Sequence, residues 1–190
     1  MTCSIVDFGF AFRYRIFFST LLISFLCSAC DRSSEQEPVF TGATMGTTYT
    51  IKLGVPVANT VLASLKKETD KILLQVNQQM STYLPDSELS QFNQTSSTAW
   101  FQVSPDTALV IQKSLLISQM TAGAFDITVG PLVNLWGFGP DARRDTPPTP
   151  AEIQQRLAQV GYQQLEVKNA AIRKKNANIY ADLSAIAKGF

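Results

Sequence analysis

Residues 121–139 hold the residue types most able to do chemistry: four glycines, a proline and three aromatic residues surround one carboxylate, Asp126. Glycines let the backbone approach a ligand closely, and aromatic rings offer flat apolar faces. A lone acid in such an apolar run is partly desolvated unless it has a partner, which makes it either a tuned base or a hydrogen-bond anchor. The stretch could equally be a buried turn in which Asp126 caps the backbone, and the residues alone leave both interpretations open.

A second candidate set lies near residue 190, where Asp182 is followed six residues later by Lys188. A strand that ends in an acid and opens a helix is a common platform for an anion or a metal ion. A lysine about 4 Å from a surface phosphate oxygen gains on the order of 4 kcal/mol before desolvation. This segment is therefore a candidate anion or metal platform.

Two further segments carry weaker signals. The glycines and hydroxyls of residues 42–48 could present backbone N–H groups to an anion. They could also form a turn or bulge at the start of a strand, with Met45 simply packed. Tyr83 lies just before a turn and could stack on a planar ligand, or it could only pack.

Composition narrows the chemistry. The sequence has no histidine, which excludes imidazole bases, His-metal sites and Ser-His-Asp triads. Its net charge is +1 and it has no basic stripe, so we expect no nucleic-acid partner. All three cysteines lie in the first thirty residues, so the globular part is expected to have neither a disulfide framework nor a Cys nucleophile. Carboxylates, lysines, hydroxyls or a bound metal must do any catalysis.

The N-terminus has the pattern of a targeting segment. Arg13 and Arg15 form a basic flank, and residues 16–26 are an apolar core too short to span a bilayer comfortably. Small residues then precede Cys30. We predict that residues 1–29 are a lipoprotein signal peptide; an uncleaved anchor or an ordinary secretory signal would be the alternatives.

Cleavage before Cys30 would leave its thiol to be acylated, and several acyl chains on one cysteine anchor stably. Asp31 resembles the inner-membrane retention signal of enteric-type bacteria. The predicted location is therefore the periplasmic face of the inner membrane. Residues 30–38 are polar and read as a flexible tether to a domain at residues 39–190.

Hydrophobic periodicity predicts the elements that position the candidate residues. Alternation indicates a strand within residues 39–53, and an apolar stripe over residues 59–80 indicates a core helix. Ser87 is expected to cap a short helix, and Ser104 to cap a longer one that begins with proline. The expected buried stripe of that longer helix is Leu109, Val110, Leu116, Ile117 and Met120.

Further along, Thr149 and Glu152 form a capping box before a helix predicted at residues 151–160. Short strands are predicted at residues 100–103, 162–167, 171–174 and 178–183. Together these elements predict an α+β fold with mixed β-sheets and packed helices, without fixing the strand order.

Several motifs occur in the order typical of one family: TMGTTY at 44–49, MSTY at 80–83, DSEL at 86–89, FN at 92–93, AGAFDIT at 122–128, GP at 130–131, LWGF at 135–138 and DLSAIAKG at 182–189. Together they resemble the FAD:protein FMN transferase (ApbE) family of bacterial lipoproteins. The resemblance runs from about residue 42 to residue 190. It implies a flavin transferase domain of which this chain holds the N-terminal part only.

The resemblance also implies an activity. Family members bind FAD with a divalent metal, usually Mg²⁺, split its pyrophosphate, and transfer FMN to a Thr or Ser of a partner flavoprotein with release of AMP. Ala185 would contact the metal through its backbone carbonyl. The residues that would contact FAD by similarity are Met45, Tyr83, Ala124, Phe125, Asp126, Asp182 and Lys188.

These assignments fit elementary chemistry. Mg²⁺ prefers oxygen ligands and substrate phosphates, so the lack of histidine is no obstacle. Asp126 could orient or deprotonate the attacking hydroxyl, or it could anchor the flavin by a hydrogen bond. The family's other metal ligands, an Asp and a Thr, are expected further along than residue 190. We therefore expect the intact protein to be an enzyme and this polypeptide alone to release no AMP from FAD and Mg²⁺.

Other functions remain open on sequence grounds. The protein could be a periplasmic FAD-binding lipoprotein without transfer, a Mg²⁺-dependent FAD pyrophosphatase in which water replaces the protein hydroxyl, or a structural lipoprotein. Flavin titration separates the last from the others, and covalent flavin fluorescence on a partner protein identifies the transferase.

Overall fold

A computed structural model describes residues 37–141 and 144–190 of the chain. The predicted signal peptide, the lipidation site Cys30 and almost all of the predicted tether lie outside these residues. Residues 39–52 and 57–190 belong to one compact unit, and Pro38 groups with residues 53–56, where the Leu53 amide donates to the Pro38 carbonyl at 2.9 Å. Within the described part of the chain, no helix has the length and apolarity needed to cross a membrane.

The described chain begins with a β-hairpin. Strands β1 (Val39–Thr44) and β2 (Thr47–Lys52) pair antiparallel around Met45 and Gly46. Both turn residues have positive φ, 50° and 72°, which matches the tight two-residue turns of right-twisted hairpins. The strand predicted within residues 39–53 is confirmed as β2, and β1 adds a second strand because the Met-Gly pair reverses the chain between two alternating runs.

Helix α1 (Asn59–Met80) was predicted correctly as a helix and wrongly as a core element. Only Gln79 and Met80 are buried, whereas its apolar residues Val61, Leu65, Ile72 and Leu74 are exposed. The helix packs against β1, and the hydroxyl of Tyr49, which lies on β2, donates to the Asp70 carboxylate of the helix. The periodic pattern shows a face suited to burial, but it does not say whether another element covers that face.

Two helices meet at their N-termini. Ser87 caps α2 (Glu88–Gln94) by accepting from the Ser90 amide at 3.0 Å, as predicted. Ser104 caps α3 (Pro105–Met120), also as predicted. The Glu88 carboxylate accepts from the Ser104 amide and the Thr107 hydroxyl, both at 2.9 Å, and so ties the start of α2 to the start of α3.

The face of α3 that is buried differs from the predicted one. Of the expected stripe only Val110 is buried; Leu109, Leu116, Ile117 and Met120 are exposed. The buried face combines three hydroxyl residues with three apolar ones, namely Thr107, Ala108, Val110, Ile111, Ser114 and Ser118. The hydroxyls of the two serines donate to helix carbonyls four residues earlier, at 2.8 and 2.9 Å, which satisfies them without an outside partner.

The hydrophobic core includes residues of a second, three-stranded sheet. Strands β3 (Phe101–Gln102), β4 (Leu165–Lys168) and β5 (Ala171–Lys174) pair antiparallel in the order β3-β5-β4. The cluster on it includes Leu89, Phe92, Ile111, Ile127, Ile172 and Leu183. All strand pairings in the described residues are antiparallel, and the predicted α+β class is confirmed.

Two short helices complete the set. Helix α4 (Gly130–Leu135) packs against α5 (Pro150–Leu157), and α5 has the predicted capping box. Single 3₁₀ turns lie at Tyr162–Gln164 and Ala187–Gly189. The longer helix predicted over residues 151–160 was thus correct in its start and too long at its end.

Residues 178–183 form no strand, contrary to the prediction, and no α-helix follows them among the residues described. The segment lies against side chains and loop backbone instead of against a neighbouring strand. The expected strand-to-helix platform after Asp182 is therefore replaced by the single 3₁₀ turn at Ala187–Gly189.

Candidate functional site

The chain reverses sharply where α3 ends. Ala122 and Gly123 both have positive φ, 52° and 86°, and the Gly123 amide donates to the Ser118 carbonyl at 2.8 Å. This turn leaves Ala124 exposed and presses Phe125 half-buried against the core. Residues 121–129 therefore form a loop between α3 and α4.

Asp126 follows directly and is half-buried. One of its oxygens, Oδ1, accepts from the backbone amide and the hydroxyl of Thr128, both at 2.7 Å. The other, Oδ2, accepts from the Tyr162 amide at 2.9 Å, and the Thr128 hydroxyl accepts from the Gly161 amide at 2.7 Å. A carboxylate offers about four acceptor positions, so roughly one stays free on Asp126. The hydrogen-bond anchor interpretation describes these contacts, and proton abstraction by Asp126 stays a prediction.

Asp182 lies beside this loop. Its amide donates to the Ile127 carbonyl at 2.7 Å, and its Oδ1 accepts from the Ser184 amide at 2.8 Å. Gly130 makes the approach possible, because a Cβ there would collide with the Tyr180 ring and lie 3.5 Å from the Asp182 Cβ. The structure thus joins two predicted site residues, far apart in sequence, in what we call the Asp126–Asp182 junction.

Tyr83 lies at the aromatic end of the candidate site. Its ring is 60% exposed, and its hydroxyl donates to the Phe138 carbonyl at 3.0 Å. Phe138 ends a Schellman motif after α4: its amide donates to Val133, and Gly137 has a φ of 75°. The tyrosine hydroxyl therefore fixes the backbone after α4 while the ring face stays open for stacking.

Three predicted residues lie elsewhere. Met45 is half-exposed at the tip of the hairpin, and Ala185 and Lys188 are exposed in the residues after Asp182. In the described chain, no hydrogen bond or ion pair joins any of the three to Asp126 or Asp182. Their assignment to a site rests on the resemblance.

The donors suited to a metal are oxygens. Asp182 keeps one carboxylate oxygen without a protein hydrogen-bond donor among the described residues, and Ala185 offers its carbonyl. Such donors fit Mg²⁺ in kind. Within residues 37–141 and 144–190, no group of three or more His, Cys, Asp or Glu residues could hold a metal ion. These donors would therefore be part of a larger ligand set.

A polar cavity of about 440 Å³ lies beside α4. Burial raises the pKa of the Tyr180 hydroxyl at its wall, and the charge of Asp182 raises it further. The other polar lining includes Asn134, Asp141, Arg144, Arg156 and Asn178. A second cavity of about 430 Å³ lies between β1 and α1, near the Met45 turn.

Comparison with known proteins decides the family. The profile of the ApbE family matches residues 45–190, which is more than half of the chain. The chain belongs to the ApbE family. The resemblance inferred from the motifs is therefore confirmed.

Individual relatives agree. A FAD:protein FMN transferase of Vibrio cholerae is 45% identical over 165 residues, covering 87% of this chain and 49% of the relative. One of Haemophilus influenzae is 40% identical over 169 residues, covering 86% and 49%. The chain spans about half the length of the curated relatives it matches.

Solved ApbE structures share the fold. The flavin transferase ApbE from Vibrio cholerae matches with a TM-score of 0.74 at 46% identity, covering 80% of this chain and 49% of that one. The apo flavinyl transferase ApbE of Pseudomonas stutzeri matches with a TM-score of 0.71 at 34% identity, covering 81% and 51%. The part of the ApbE fold that this chain matches therefore has the architecture of the solved structures.

Sequence reasoning missed three residues that hold the Asp126–Asp182 junction together. Thr128 completes the Asp126 contacts, Asn93 hydrogen-bonds the backbone beside Asp182, and the buried Lys174 holds Asn93 in turn. Asn93 and Ala181 are 88 positions apart, and neither periodicity nor capping rules point from one to the other. Only a motif that included Asn93 marked it at all.

Proposed function

We propose that the intact protein is a FAD:protein FMN transferase that attaches FMN from FAD to a Thr or Ser of a partner flavoprotein. The observation that carries this proposal is the contact between the Asp182 amide and the Ile127 carbonyl at 2.7 Å. It brings together two segments that resemble family motifs, 122–128 and 182–189, in a chain 45% identical to a protein of that name.

The reaction balances as a phosphoryl transfer. The acceptor hydroxyl oxygen forms a bond to the phosphorus of the FMN half, the bond from that phosphorus to the bridging oxygen breaks, and AMP leaves with that oxygen. The hydroxyl proton passes to a base. Little covalent chemistry falls to the protein in such a reaction, so positioning and charge stabilisation dominate.

Residues of the Asp126–Asp182 junction would supply the positioning. The unpartnered oxygen of Asp182 and the Ala185 carbonyl would help to hold Mg²⁺, which would neutralise charge that builds on the pyrophosphate. Lys188, exposed on the same segment, would add a second positive charge near the phosphates. Asp126 would orient the acceptor hydroxyl or anchor the flavin through its remaining acceptor position.

The apolar end would bind the ring system. The open face of Tyr83 suits stacking on a planar flavin, and Phe125 and Met45 add apolar surface. The hydrogen bond to the Phe138 carbonyl holds the Tyr83 hydroxyl in place, so the orientation of the ring would be set before the flavin binds.

Location and partners follow from the N-terminal sequence. Acylation of Cys30 would anchor the enzyme at the periplasmic face of the inner membrane, where its acceptors would be flavoproteins that carry a target Thr or Ser. Incorporation of labelled palmitate, lost in Cys30→Ala, tests the anchor. A wild-type protein that takes up no label would contradict it.

The activity is tested with the full-length gene product, FAD, Mg²⁺ and a candidate acceptor flavoprotein. We expect flavin fluorescence on the acceptor after denaturing electrophoresis and one AMP released per flavin attached. Free FMN without labelled acceptor would indicate a pyrophosphatase instead. Neither AMP nor labelled acceptor, with every acceptor tried, would overturn the proposal.

A further inference from the structure

Residues 179–183 form no strand, and the amide and carbonyl of Ala181 are hydrogen-bonded to a side chain. The Asn93 amide nitrogen Nδ2 donates to the Ala181 carbonyl at 2.8 Å, and Asn93 Oδ1 accepts from the Ala181 amide at 2.8 Å. A carboxamide presents a donor and an acceptor side by side, as a peptide group does. Asn93 therefore takes the place that a neighbouring strand would take. We call this pair of bonds the Asn93 clamp.

The clamp is itself held from behind. Lys174 is fully buried, and its ammonium donates to the carbonyls of Asn93, Thr95 and Ala177 at 3.1, 2.7 and 3.3 Å. All three of its donors are used, and two of the acceptors, the carbonyls of Asn93 and Thr95, lie at the C-terminal end of α2, where a positive charge is favoured by the helix dipole. Phe92, next to the clamp residue, is buried in the core. Asn93 is thus fixed in both position and orientation.

The residue that the Asn93 clamp holds, Ala181, directly precedes Asp182. Ala181 is fully buried in the clamp, and the next amide, that of Asp182, donates to Ile127 at 2.7 Å. The peptide group between Ala181 and Asp182 is therefore held from both sides, its carbonyl by Asn93 and its amide by Ile127. This leaves the Asp182 side chain little freedom other than rotation about its own bonds.

We propose that Asn93 is a positioning residue: through the clamp on Ala181 it sets where the Asp182 carboxylate stands against FAD and its metal. The proposal rests on the proposed function. The clamp acts through the backbone, so Asn93 need not touch the ligand. Misplacement of a catalytic group by about 1 Å costs on the order of 100-fold in rate.

The test compares Asn93→Ala and Asn93→Asp with wild type in the full-length protein, and uses Gln94→Ala as the matched control. Gln94 is the neighbouring amide on α2, and it donates to the Pro85 carbonyl at 3.1 Å, away from Asp182. We expect Asn93→Ala to lower kcat/KM for FAD by about 10- to 100-fold at temperatures where it stays folded, and Gln94→Ala to change it by less than about 2-fold.

Asn93→Asp supplies a readout that a purely structural role would not give. An ionised aspartate cannot donate to the Ala181 carbonyl, whereas the protonated acid can. The ratio of variant to wild-type kcat/KM should therefore rise as the pH falls from 7.5 towards 5. A ratio that falls as the pH falls, or wild-type kcat/KM in Asn93→Asp at pH 7.5, contradicts the clamp, because an aspartate of ordinary pKa, about 3.9, is ionised at pH 7.5.

Hydrogen exchange of residues 179–184 gives an arm that needs no activity. Exchange in that segment should be faster in Asn93→Ala than in wild type and unchanged in Gln94→Ala. Unchanged exchange, or wild-type kcat/KM in Asn93→Ala, would overturn the positioning role while the proposed function stands. A wild-type protein without FAD turnover overturns the proposed function, and the catalytic meaning of the clamp with it.

Discussion

The Asp126–Asp182 junction and the hairpin with α1 are built in opposite ways. In the junction, polar side chains hold backbone groups that are far away in sequence: Asp126 holds Tyr162, and Asn93 holds Ala181. In the hairpin and α1, regular local structure forms with little burial, and Ile72 is 60% exposed. Regular periodicity therefore predicts where helices and strands form. The junction instead depends on hydrogen bonds between polar side chains and distant backbone groups, which periodicity does not predict.

The largest expected effect is a matched pair of isoleucine truncations. Ile127 is 1% exposed between the two site carboxylates, and Ile72 lies on the open face of α1. Ile127→Ala should lose about 2–5 kcal/mol of unfolding free energy through lost transfer and a cavity. Ile72→Ala should stay within about 0.5 kcal/mol. Urea denaturation of both variants measures the difference.

An equal loss of unfolding free energy in Ile127→Ala and Ile72→Ala would contradict the contrast between the junction and α1. It would mean that the Ile72 face is covered in solution by something that the described residues do not include.

A second pair compares two lysines. Lys174→Met leaves the carbonyls of Asn93, Thr95 and Ala177 without their donor, which should cost about 3 kcal/mol. Lys67→Met changes an exposed residue on α1 and should cost less than about 0.5 kcal/mol. Chemical denaturation at pH 7 provides both values, and a stable Lys174→Met would show that the junction does not depend on this cation.

A third change addresses the anchor itself. Asp126→Ala leaves the amides of Thr128 and Tyr162 without their acceptor and should cost about 2 kcal/mol. Thermal unfolding followed by circular dichroism checks this. A variant as stable as wild type would indicate that the Asp126 contacts contribute nothing to the fold, and would strengthen a purely catalytic role.

The smallest effect concerns an exposed acid outside the junction. The Thr149 amide, followed by the Arg144 side chain, lowers the pKa of Glu152 from 4.5 to about 2. A depressed folded-state pKa gives stability that is present above about pH 4.5 and is lost as the pH falls towards 2. Glu152→Gln should therefore lose less melting temperature than wild type between pH 5 and pH 2.5, as a pH series of melting curves would show.

Local rules were enough to predict the starts of α2, α3 and α5, although not α4. Ser87, Ser104 and Thr149 each cap the helix they were expected to cap, because an N-cap needs only its own neighbours. Burial was harder to predict. The buried face of α3 is lined by Ser114 and Ser118, whose hydroxyls bond within the helix and so behave as small packing groups.

The sequence singled out the two carboxylates of the Asp126–Asp182 junction but not the residues that they contact. Asp126 and Asp182 were both identified, the first from its apolar surroundings, yet the contact through Ile127 depends on chain tracing that no pattern encodes. The false strand at residues 178–183 shows the same limit. Its alternation was real, but its hydrogen bonds go to an asparagine side chain instead of to a strand.

Gly130 gives this arrangement a mechanical consequence. Its backbone lies so close to the Tyr180 ring that even a methyl group would have to push α4 aside. Helix α4 is short, and just after its C-terminal end the Phe138 carbonyl accepts a hydrogen bond from the Tyr83 hydroxyl. Any side chain at position 130 would therefore have to displace the Tyr180 ring or the start of α4, and a shift of α4 would reach the backbone that Tyr83 contacts beyond its other end.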